Sequence, residues 1–228
     1  MLYVVPTPIG HLDDLTLRAR QVLSEVNFII CEDTRVTGRL LKHYEIEQKL
    51  VSNHIHNEHK VLTGLVKRLQ AGESAALVSD AGLPALSDPG YLLIRECIKE
   101  KIKLTVLPGA NAALTAAIGS GIPCDRFFFQ GFLPPKKGRQ SRLQWLAALQ
   151  ETIVLYESPH RILKTLQHLI EHFGPDCQAC IAREMTKLHE EYSRGSLSEM
   201  LADYKSRPSI KGEIVVVVNG KETQLETK

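Results

Sequence analysis

Two kinds of hydrophobic pattern alternate along the chain. Short runs rich in Val, Ile and Leu, such as LYVV at 2–5 and FIIC at 28–31, are separated by longer segments in which apolar residues recur every three or four positions. The short runs are typical of strands and the longer segments of amphipathic helices. Strands that alternate with helices build parallel sheets, so the pattern predicts an α/β protein. Because the strands are apolar throughout, we expect helices on both faces of the sheet.

The first half of the chain contains four predicted strands and five predicted helices. The strands lie at 2–5, 28–31, 75–78 and 103–107, and the helices at 14–25, 35–44, 57–71, 88–100 and 111–119. The helical pattern then stops at the segment GSGIPC, residues 119–124, whose Gly and Pro residues are typical of a break between units. The sequence therefore predicts an N-terminal α/β domain at 1–119 and a C-terminal α/β domain at 120–228.

The second half needs a sheet of its own. Its predicted strands lie at 126–130, 152–156, 177–182 and 212–218, and its predicted helices at 139–149, 160–173 and 196–205. The polar residues after Asn219 are expected to fray.

Composition narrows the class of protein. The hydrophobic share of 43% and the charged share of 24% are ordinary for a globular enzyme. With a net charge of only +2, a nucleic-acid partner would have to be held by a local basic patch. No export signal precedes the first strand, and no apolar run is long enough to cross a bilayer, so a cytoplasmic protein is expected.

The five cysteines are an odd number in a mid-sized chain, which favours reduced thiols over a disulfide framework. Cys177 and Cys180 form a C-x-x-C pair, a spacing that can bind zinc or cycle through a disulfide. No second pair completes a zinc site, so we interpret this segment as a buried strand without chemistry.

Four distinctive loops directly follow the strands of the first half. They are PTPIG at 6–10, EDTR at 32–35, SDAGLP at 79–84 and PGAN at 108–111. Ligands of open α/β sheets bind outside the carboxyl ends of the strands, where these loops converge. Gly and Pro let backbone approach a ligand closely, so the loops favour a polar cofactor held by main chain. The phosphate-binding patterns GxxxxGK[ST] and GxGxxG are both absent, which excludes ordinary nucleotide and dinucleotide enzymes.

Six motifs carry a family resemblance over nearly the whole chain. They are TPIGHLDD at 7–14, EDTR at 32–35, SDAGLPALSDPG at 79–90, LPGANA at 107–112, YESPHR at 156–161 and REMTK at 183–187. In this order they resemble the ribosomal RNA small-subunit methyltransferase I family, which is similar in fold to the tetrapyrrole methylases. The resemblance implies a parallel-sheet N-terminal domain, a mixed-sheet C-terminal domain and a cofactor cleft between them. It also implies a homodimer that uses S-adenosylmethionine to methylate the ribose 2′-hydroxyl of a 16S rRNA cytidine near the decoding centre of the small ribosomal subunit.

The same resemblance suggests which residues contact the cofactor, many of them through backbone atoms. They are Pro8, Ala81, Gly82, Leu83, Leu86, Asn111, Ala112 and Met185. This chain has Gly-Leu-Pro at 82–84 where tetrapyrrole methylases typically have Gly-Asp-Pro, so no role of that aspartate is transferred.

A ribose hydroxyl is a poor nucleophile, so its methylation needs in-line alignment and a group that takes up the proton. The candidate bases are Asp33, Glu157 and Glu184, and Arg35, Arg161 and Lys187 are candidates to hold phosphate or to shift a neighbour's pKa. The alternative interpretation is structural: Asp33 and Arg35 would form a local ion pair at a helix start, and Glu157 would lie in a solvated loop.

The best candidate for RNA binding is the loop LPPKKGRQSR at 133–142, with the cations Lys136, Lys137, Arg139 and Arg142. The histidines of HIHNEH at 54–59 have a spacing that can bind zinc, but no further ligand is placed by the sequence and no metal site is predicted. His56, Asn57 and Glu58 resemble a family segment and either lie beside the substrate or simply begin a helix.

Two other functions remain open at this point. A small-molecule methylase, such as a tetrapyrrole methylase, would use the same fold and the same cofactor loops. A non-catalytic RNA-binding or ribosome-assembly module would keep the fold without turnover. The basic loop and EDTR favour the RNA methyltransferase.

Overall fold

The computed structural model describes residues 1–220, which form two compact units. The first unit is Met1–Asn111, and the second begins at Ala112. The first unit has five strands, β1 (Leu2–Val4), β2 (Phe28–Cys31), β3 (Leu50–Ser52), β4 (Ala75–Leu77) and β5 (Leu104–Val106). They form one sheet in the order β3-β2-β4-β1-β5, and every neighbouring pair is parallel.

Four helices accompany this sheet, α1 (Leu17–Glu25), α2 (Thr34–His43), α3 (Glu58–Gln70) and α4 (Tyr91–Lys99), with a short 3-10 helix at Leu12–Asp14. Alternate residues of β2 belong to different cores, because side chains of a strand point to opposite faces in turn. Ile29 packs with residues of α1 and α2, and Phe28 packs with residues of α3 and α4. Both faces of the sheet are therefore covered.

Between residues 112 and 220, the second unit has four helices and five strands. The helices are α5 (Ala112–Ser120), α6 (Arg139–Ala147), α7 (Ile162–Phe173) and α8 (Leu197–Ser206). The strands are β6 (Phe127–Phe132), β7 (Thr152–Glu157), β8 (Gln178–Arg183), β9 (Glu191–Ser196) and β10 (Ile214–Val218). The sheet order is β6-β7-β10-β8-β9, in which β6 and β7 are parallel and the other pairs antiparallel.

One face of this second sheet packs on α6, α7 and α8, and α5 lies against β7, β8 and β10. Small buried residues, Ala113, Ala116 and Ala117, let α5 approach the sheet closely. The units therefore divide at Asn111, one helix before the predicted boundary at 119/120, because α5 packs with the second sheet.

The predicted fold class is confirmed, with a parallel sheet in the first unit and a mixed sheet in the second. Two strands escaped prediction, β3 and β9, and α4 begins at Tyr91 rather than at residue 88. Among residues 1–220, no helix has the length and apolar character needed to span a membrane. The expected fraying after Asn219 falls mostly on residues 221–228, outside the described part of the chain.

Candidate functional site

Main-chain hydrogen bonds join the loops that follow β1 and β4. The Thr7 amide donates to the Gly82 carbonyl (2.9 Å), and the Gly82 amide donates to the Thr7 carbonyl (3.0 Å). The Thr7 hydroxyl donates to the Ser79 carbonyl at 3.1 Å. The two loops are thereby held in a fixed register at the carboxyl edge of the first sheet.

Two glycines let these loops pack against the loop that follows β5. Gly82 has a φ of 78°, and a β-carbon there would lie 3.3 Å from Ile9 Cγ2 and 3.7 Å from the Ala110 carbonyl oxygen. A β-carbon on Gly109 would lie 2.8 Å from Pro6 Cβ, closer than side chains tolerate. The loops therefore pack too closely for a side chain at Gly109, and the tight contact and positive φ disfavour one at Gly82.

The residues that the family resemblance suggested for cofactor contacts lie on these loops and on two segments of the second unit. Pro8, Gly82 and Asn111 are buried, and Ala81, Leu83 and Leu86 are half-buried, all in the first unit. Ala112 begins α5 and Met185 is buried after β8, both in the second unit. Both units therefore contain residues that the resemblance suggests for the cofactor, on loops or at the start of a helix.

Asp33 and Arg35, both predicted as catalytic candidates, form a local ion pair at the start of α2. Asp33 is the N-cap residue, and its carboxylate accepts the Arg35 amide (2.8 Å) and pairs with Arg35 Nη2 (2.6 Å). These hydrogen bonds lower the pKa of Asp33 to about 2. The Asp33 amide donates to Asp80 Oδ1 at 3.1 Å, which connects this loop to the one after β4.

Three further carboxylates of the first unit have raised pKa values. Burial, with a contribution from the charge of Asp80, raises the pKa of Glu32, and burial also raises the pKa of Asp80. Burial together with the charges of Glu32 and Asp80 raises the pKa of Asp88 to about 6. The prediction from sequence missed these residues, although each lies within three residues of a motif glycine or directly follows a strand, which was an available signal.

Glu32 and Asp88 face an open cavity of about 370 Å³ on the first unit. The beginnings of α3 and α4 contribute residues to its lining, including Glu58, His59 and Tyr91, and loop residues contribute the rest. Of the residues His56, Asn57 and Glu58, the last lies on this cavity, while the Asn57 side chain bonds to the Ser52 carbonyl (3.2 Å) and the His54 amide (2.8 Å).

The prediction that Glu157 acts as a base is not compatible with its surroundings. Its side chain is 0% exposed. Arg161 Nη2 (2.8 Å) and the Ser158 amide (2.8 Å) bind Oε1, and the Thr165 hydroxyl donates to Oε2 at 2.5 Å. Both carboxylate oxygens are thus committed to internal partners, so Glu157 does not lie in the solvated loop of the structural alternative either.

Arg139 was predicted to contact RNA, but its side chain is only 6% exposed. Its guanidinium donates to the Thr165 hydroxyl (2.7 Å), to His168 Nδ1 (3.1 Å) and to the Pro134 carbonyl (3.2 Å). Arg139 is therefore a structural residue, and the prediction is wrong because the sequence does not show on which side of α6 the residue lies. Lys136 and Lys137 are exposed.

Arg142, the fourth predicted RNA contact, is half-buried on α6. Its guanidinium lies 4.3 Å from the ring centre of Trp145 and bonds to the Gln130 side chain. The contacts with Trp145 and Gln130 keep the Arg142 guanidinium at the surface of the second unit.

Glu184 and Lys187 pair with each other next to Met185. Lys187 Nζ lies 3.0 Å from Glu184 Oε1 and 3.0 Å from Glu213 Oε2. Burial alone would raise the pKa of Glu184, but the hydrogen bonds from the Glu213 amide and Lys187 outweigh it and lower this pKa. Glu184 has a φ of 50° and Thr186 a φ of 61°, an uncommon backbone for non-glycine residues that turns this segment sharply.

The cysteines and histidines show no reactive arrangement in the described part of the chain. All five cysteines are free, and burial raises the pKa of Cys177 to about 11, so its thiol stays protonated. Across residues 1–220, no group of three or more His, Cys, Asp or Glu side chains is placed to hold a metal ion.

Comparison with known proteins shows the family to which the chain belongs. The profile of "Tetrapyrrole (Corrin/Porphyrin) Methylases" matches residues 1–201. "Ribosomal RNA small subunit methyltransferase I" of Hydrogenobaculum sp. is 47% identical over 97% of this chain and 96% of the relative. The protein of that name from Thermotoga maritima is 44% identical over 97% of this chain and 99% of its own.

Solved structures agree in fold at low sequence identity. The methyltransferase CobJ has a TM-score of 0.73 and 20% identity, over 96% of this chain and 94% of that one. Uroporphyrin-III C-methyl transferase from Thermus thermophilus, solved in complex with S-adenyl homocysteine, has a TM-score of 0.66 and 18% identity, over 96% and 97%.

Proposed function

The chain belongs to the tetrapyrrole methylases and, within them, to the ribosomal RNA small subunit methyltransferase I family, and on this premise we propose a specific reaction. The protein transfers a methyl group from S-adenosylmethionine to the ribose 2′-hydroxyl of a 16S rRNA cytidine near the decoding centre. The observation that carries this proposal is 47% identity to a methyltransferase of that family over 97% of the chain.

S-adenosylmethionine supplies an electrophilic methyl group, and the residues present fit a cofactor of this kind. The loops after β1, β4 and β5 pack closely where they meet: a β-carbon would clash at Gly109 and is disfavoured at Gly82, so both positions present backbone. A cofactor with many polar atoms is suited to such a lining. Pro8, Ala81, Gly82, Leu83, Leu86 and Asn111 in the first unit, with Ala112 and Met185 in the second, are the residues proposed to hold it.

The proposed proton acceptor is Asp88. A general base works best with a pKa near the working pH, and the pKa of Asp88 is about 6. Asp33, with a pKa of about 2, is a far weaker base. Asp88 belongs to the same loop as Ala81 and Gly82, and Ser79 bonds to it and approaches the carbonyls of both (3.3 and 3.2 Å).

Arg35 and Lys187 are proposed to position the RNA backbone rather than to move a proton. Arg35 is exposed although paired with Asp33, and Lys187 is half-buried beside Glu184. A cation whose carboxylate partner fixes its direction can bind phosphate without a large loss of side-chain freedom.

The proposed RNA contact on the second unit is the loop that carries Lys136 and Lys137. Both lysines are exposed, and Phe132 at the beginning of this loop is 51% exposed. Cations that bind phosphates next to an aromatic ring that can stack on a base are typical of single-stranded RNA recognition. A ribosomal substrate is consistent with a protein in the cytoplasm. The family resemblance supports a homodimer, and the molar mass measured by light scattering tests this.

The direct test is transfer of labelled methyl from S-adenosylmethionine to small ribosomal subunits that lack the modification. Mass spectrometry of the nucleosides should identify 2′-O-methylcytidine, and uroporphyrinogen should not be labelled in a parallel reaction. Methylation of the tetrapyrrole but not of the RNA would refute the proposal. Cofactor binding measured by calorimetry without any transfer would instead identify a non-catalytic module.

A further inference from the structure

A hydrogen-bonded cluster of buried and half-buried polar side chains lies beneath the loop that carries Lys136 and Lys137. We define it as the arginine cluster: Arg139, Glu157, Arg161 and Thr165. We propose that the arginine cluster positions this loop for RNA binding and takes no direct part in the reaction. The inference rests on the proposed function, because it concerns binding of the RNA substrate.

Two arginines of the cluster hold the backbone at the beginning of the loop. Arg139 Nη1 donates to the Pro134 carbonyl at 3.2 Å, and Arg161 Nη1 donates to the Leu133 carbonyl at 3.5 Å. The Arg139 amide also donates to the Lys136 carbonyl at 3.2 Å, which closes the turn at the end of the loop. The two exposed lysines thus lie between fixed points on either side.

Glu157 pairs with both arginines and offsets one of their two charges. It lies at the end of β7, 2.8 Å from Arg161 Nη2 and 3.9 Å from Arg139 Nη2. The Thr165 hydroxyl connects the members, since it accepts from Arg139 Nη2 (2.7 Å) and donates to Glu157 Oε2 (2.5 Å). Removing one partner from such a cluster leaves a buried charge uncompensated, so the cluster holds as a whole.

A loop that is already ordered does not lose conformational freedom when the RNA binds. Loosening the cluster should therefore weaken substrate binding and leave the methyl transfer of bound substrate nearly unchanged. A catalytic role for Glu157 would give the opposite result, a loss of kcat at constant KM.

The same unit offers a matched control. Glu191 pairs with Arg183 Nη2 (2.9 Å) and Arg207 Nη2 (2.5 Å), so it too is one carboxylate between two arginines. It lies on β9, the edge of the sheet opposite β6. Glu191→Gln therefore removes the charge of a carboxylate that also lies between two arginines, without touching the loop of Lys136 and Lys137.

The experiment compares Glu157→Gln with Glu191→Gln in the full-length protein, with small ribosomal subunits as substrate. We expect the KM for subunits to rise about ten-fold in Glu157→Gln, with kcat changed by less than about two-fold, and neither to change by more than about two-fold in Glu191→Gln. Calorimetry should give an S-adenosylmethionine affinity equal to wild type in both variants.

Limited digestion with trypsin under native conditions gives a readout that is independent of activity. Cleavage after Lys136 and Lys137 should become faster in Glu157→Gln than in wild type or Glu191→Gln. If Glu157→Gln does not fold, Thr165→Val replaces it, with Thr165→Ser as the variant that keeps the hydroxyl and should restore both KM and resistance to trypsin.

Three results would overturn the inference: an unchanged KM and cleavage rate in the cluster variants, a fall of kcat alone, or equal effects in Glu191→Gln. A wild-type protein without activity on subunits would refute the proposed function instead. In that case the trypsin comparison would still decide whether the cluster holds the loop.

Discussion

Asp88 combines a raised pKa with a position on the loop that follows β4. Because burial and two neighbouring carboxylates disfavour its charge, the folded protein holds a proton on Asp88 up to a pH of about 6, whereas the ordinary value is 3.8. The unfolded chain therefore binds fewer protons between these two values, and the contribution of Asp88 to stability falls as the pH rises through that range. Above a pH of about 6, Asp88 is ionised in both states, and its charge lowers the free energy of unfolding by a constant amount.

Asp88→Asn should therefore stabilise the first unit at pH 7 by about 1 kcal/mol, after allowance for solvent screening, and much less at pH 4. Urea denaturation of both proteins at the two pH values measures this difference. A variant that is less stable than wild type at pH 7 would contradict the argument, since it would mean that the carboxylate is favourably bound.

The same substitution should impair catalysis. If Asp88 accepts the proton, kcat for methyl transfer should fall at least about 100-fold in Asp88→Asn, with S-adenosylmethionine affinity close to wild type. Rates under single turnover and calorimetry measure the two quantities. Asp33→Asn serves as the comparison, because a carboxylate with a pKa of about 2 should contribute little as a base. Equal losses in both variants would argue against Asp88 as the acceptor.

From the sequence, Arg139 was expected to bind RNA and Glu157 to act as a base. In the structure, both side chains bond to internal partners instead. A cation in a Pro- and Gly-bearing loop and a glutamate at a strand end are typical of solvent-exposed functional groups, yet both are buried here. Burial depends on which side of α6 and β7 packs against α7, and this long-range contact leaves no local signal in the chain. The pairing of Asp33 with Arg35 was foreseeable, because the two residues are separated by one position at a helix start.

At the level of elements, α8 begins with a capping box. The Ser196 hydroxyl accepts the Glu199 amide at 3.3 Å, and Glu199 Oε2 accepts the Ser196 amide at 2.8 Å. Both bonds satisfy amides that the first turn of a helix leaves without partners.

Ser196→Ala should lower the free energy of unfolding of the second unit by about 1 kcal/mol. Urea denaturation followed by circular dichroism measures the loss. Ser206→Ala is the control, because that hydroxyl bonds only to the Asp203 carbonyl at the other end of the same helix and should cost less than about 0.5 kcal/mol. Equal losses at both ends would show that the capping box contributes nothing special.

Strands that are apolar throughout were predictable, whereas β3 and β9 were not. β2 and β10 are apolar throughout because both lie inside their sheets. β3 has only three half-buried residues, and β9 reads EYSRGS, a polar sequence with little strand character. Both are edge strands, which are kept in place by pairing with a neighbour rather than by their own burial.

At the scale of the whole molecule, the small net charge of +2 makes RNA binding depend on local cations. Each lysine that neutralises a phosphate releases counterions, so binding weakens with salt in proportion to the number of contacts. The double variant Lys136→Ala, Lys137→Ala should therefore reduce the slope of log affinity against log salt by about 1.4 to 1.8.

Filter binding of small subunits between low and moderate salt measures this slope. The control is the double variant Lys99→Ala, Lys205→Ala, which removes the same charge from surface positions of α4 and α8 and should leave the slope unchanged. An identical change in both variants would mean that total charge, not the proposed loop, governs binding.

The family could be inferred from the order of motifs across the chain, whereas the substrate could not be inferred from folding physics. The solved tetrapyrrole methylases share the fold at about 20% identity or less, so the fold is compatible with more than one substrate. The residues proposed to bind RNA, an exposed pair of lysines and an exposed phenylalanine, lie at the end of β6 and on the loop that follows it.

The central position of β10 has a consequence for synthesis on the ribosome. β10 pairs with both β7 and β8, yet it follows every other strand in the chain. A nascent chain that has not yet released residues 214–218 holds two incomplete ladders, β6-β7 and β8-β9, each with an apolar strand open to unwanted pairing. The first unit can complete its sheet once β5 has emerged, so we expect unpaired apolar strands mainly while the second half is being made.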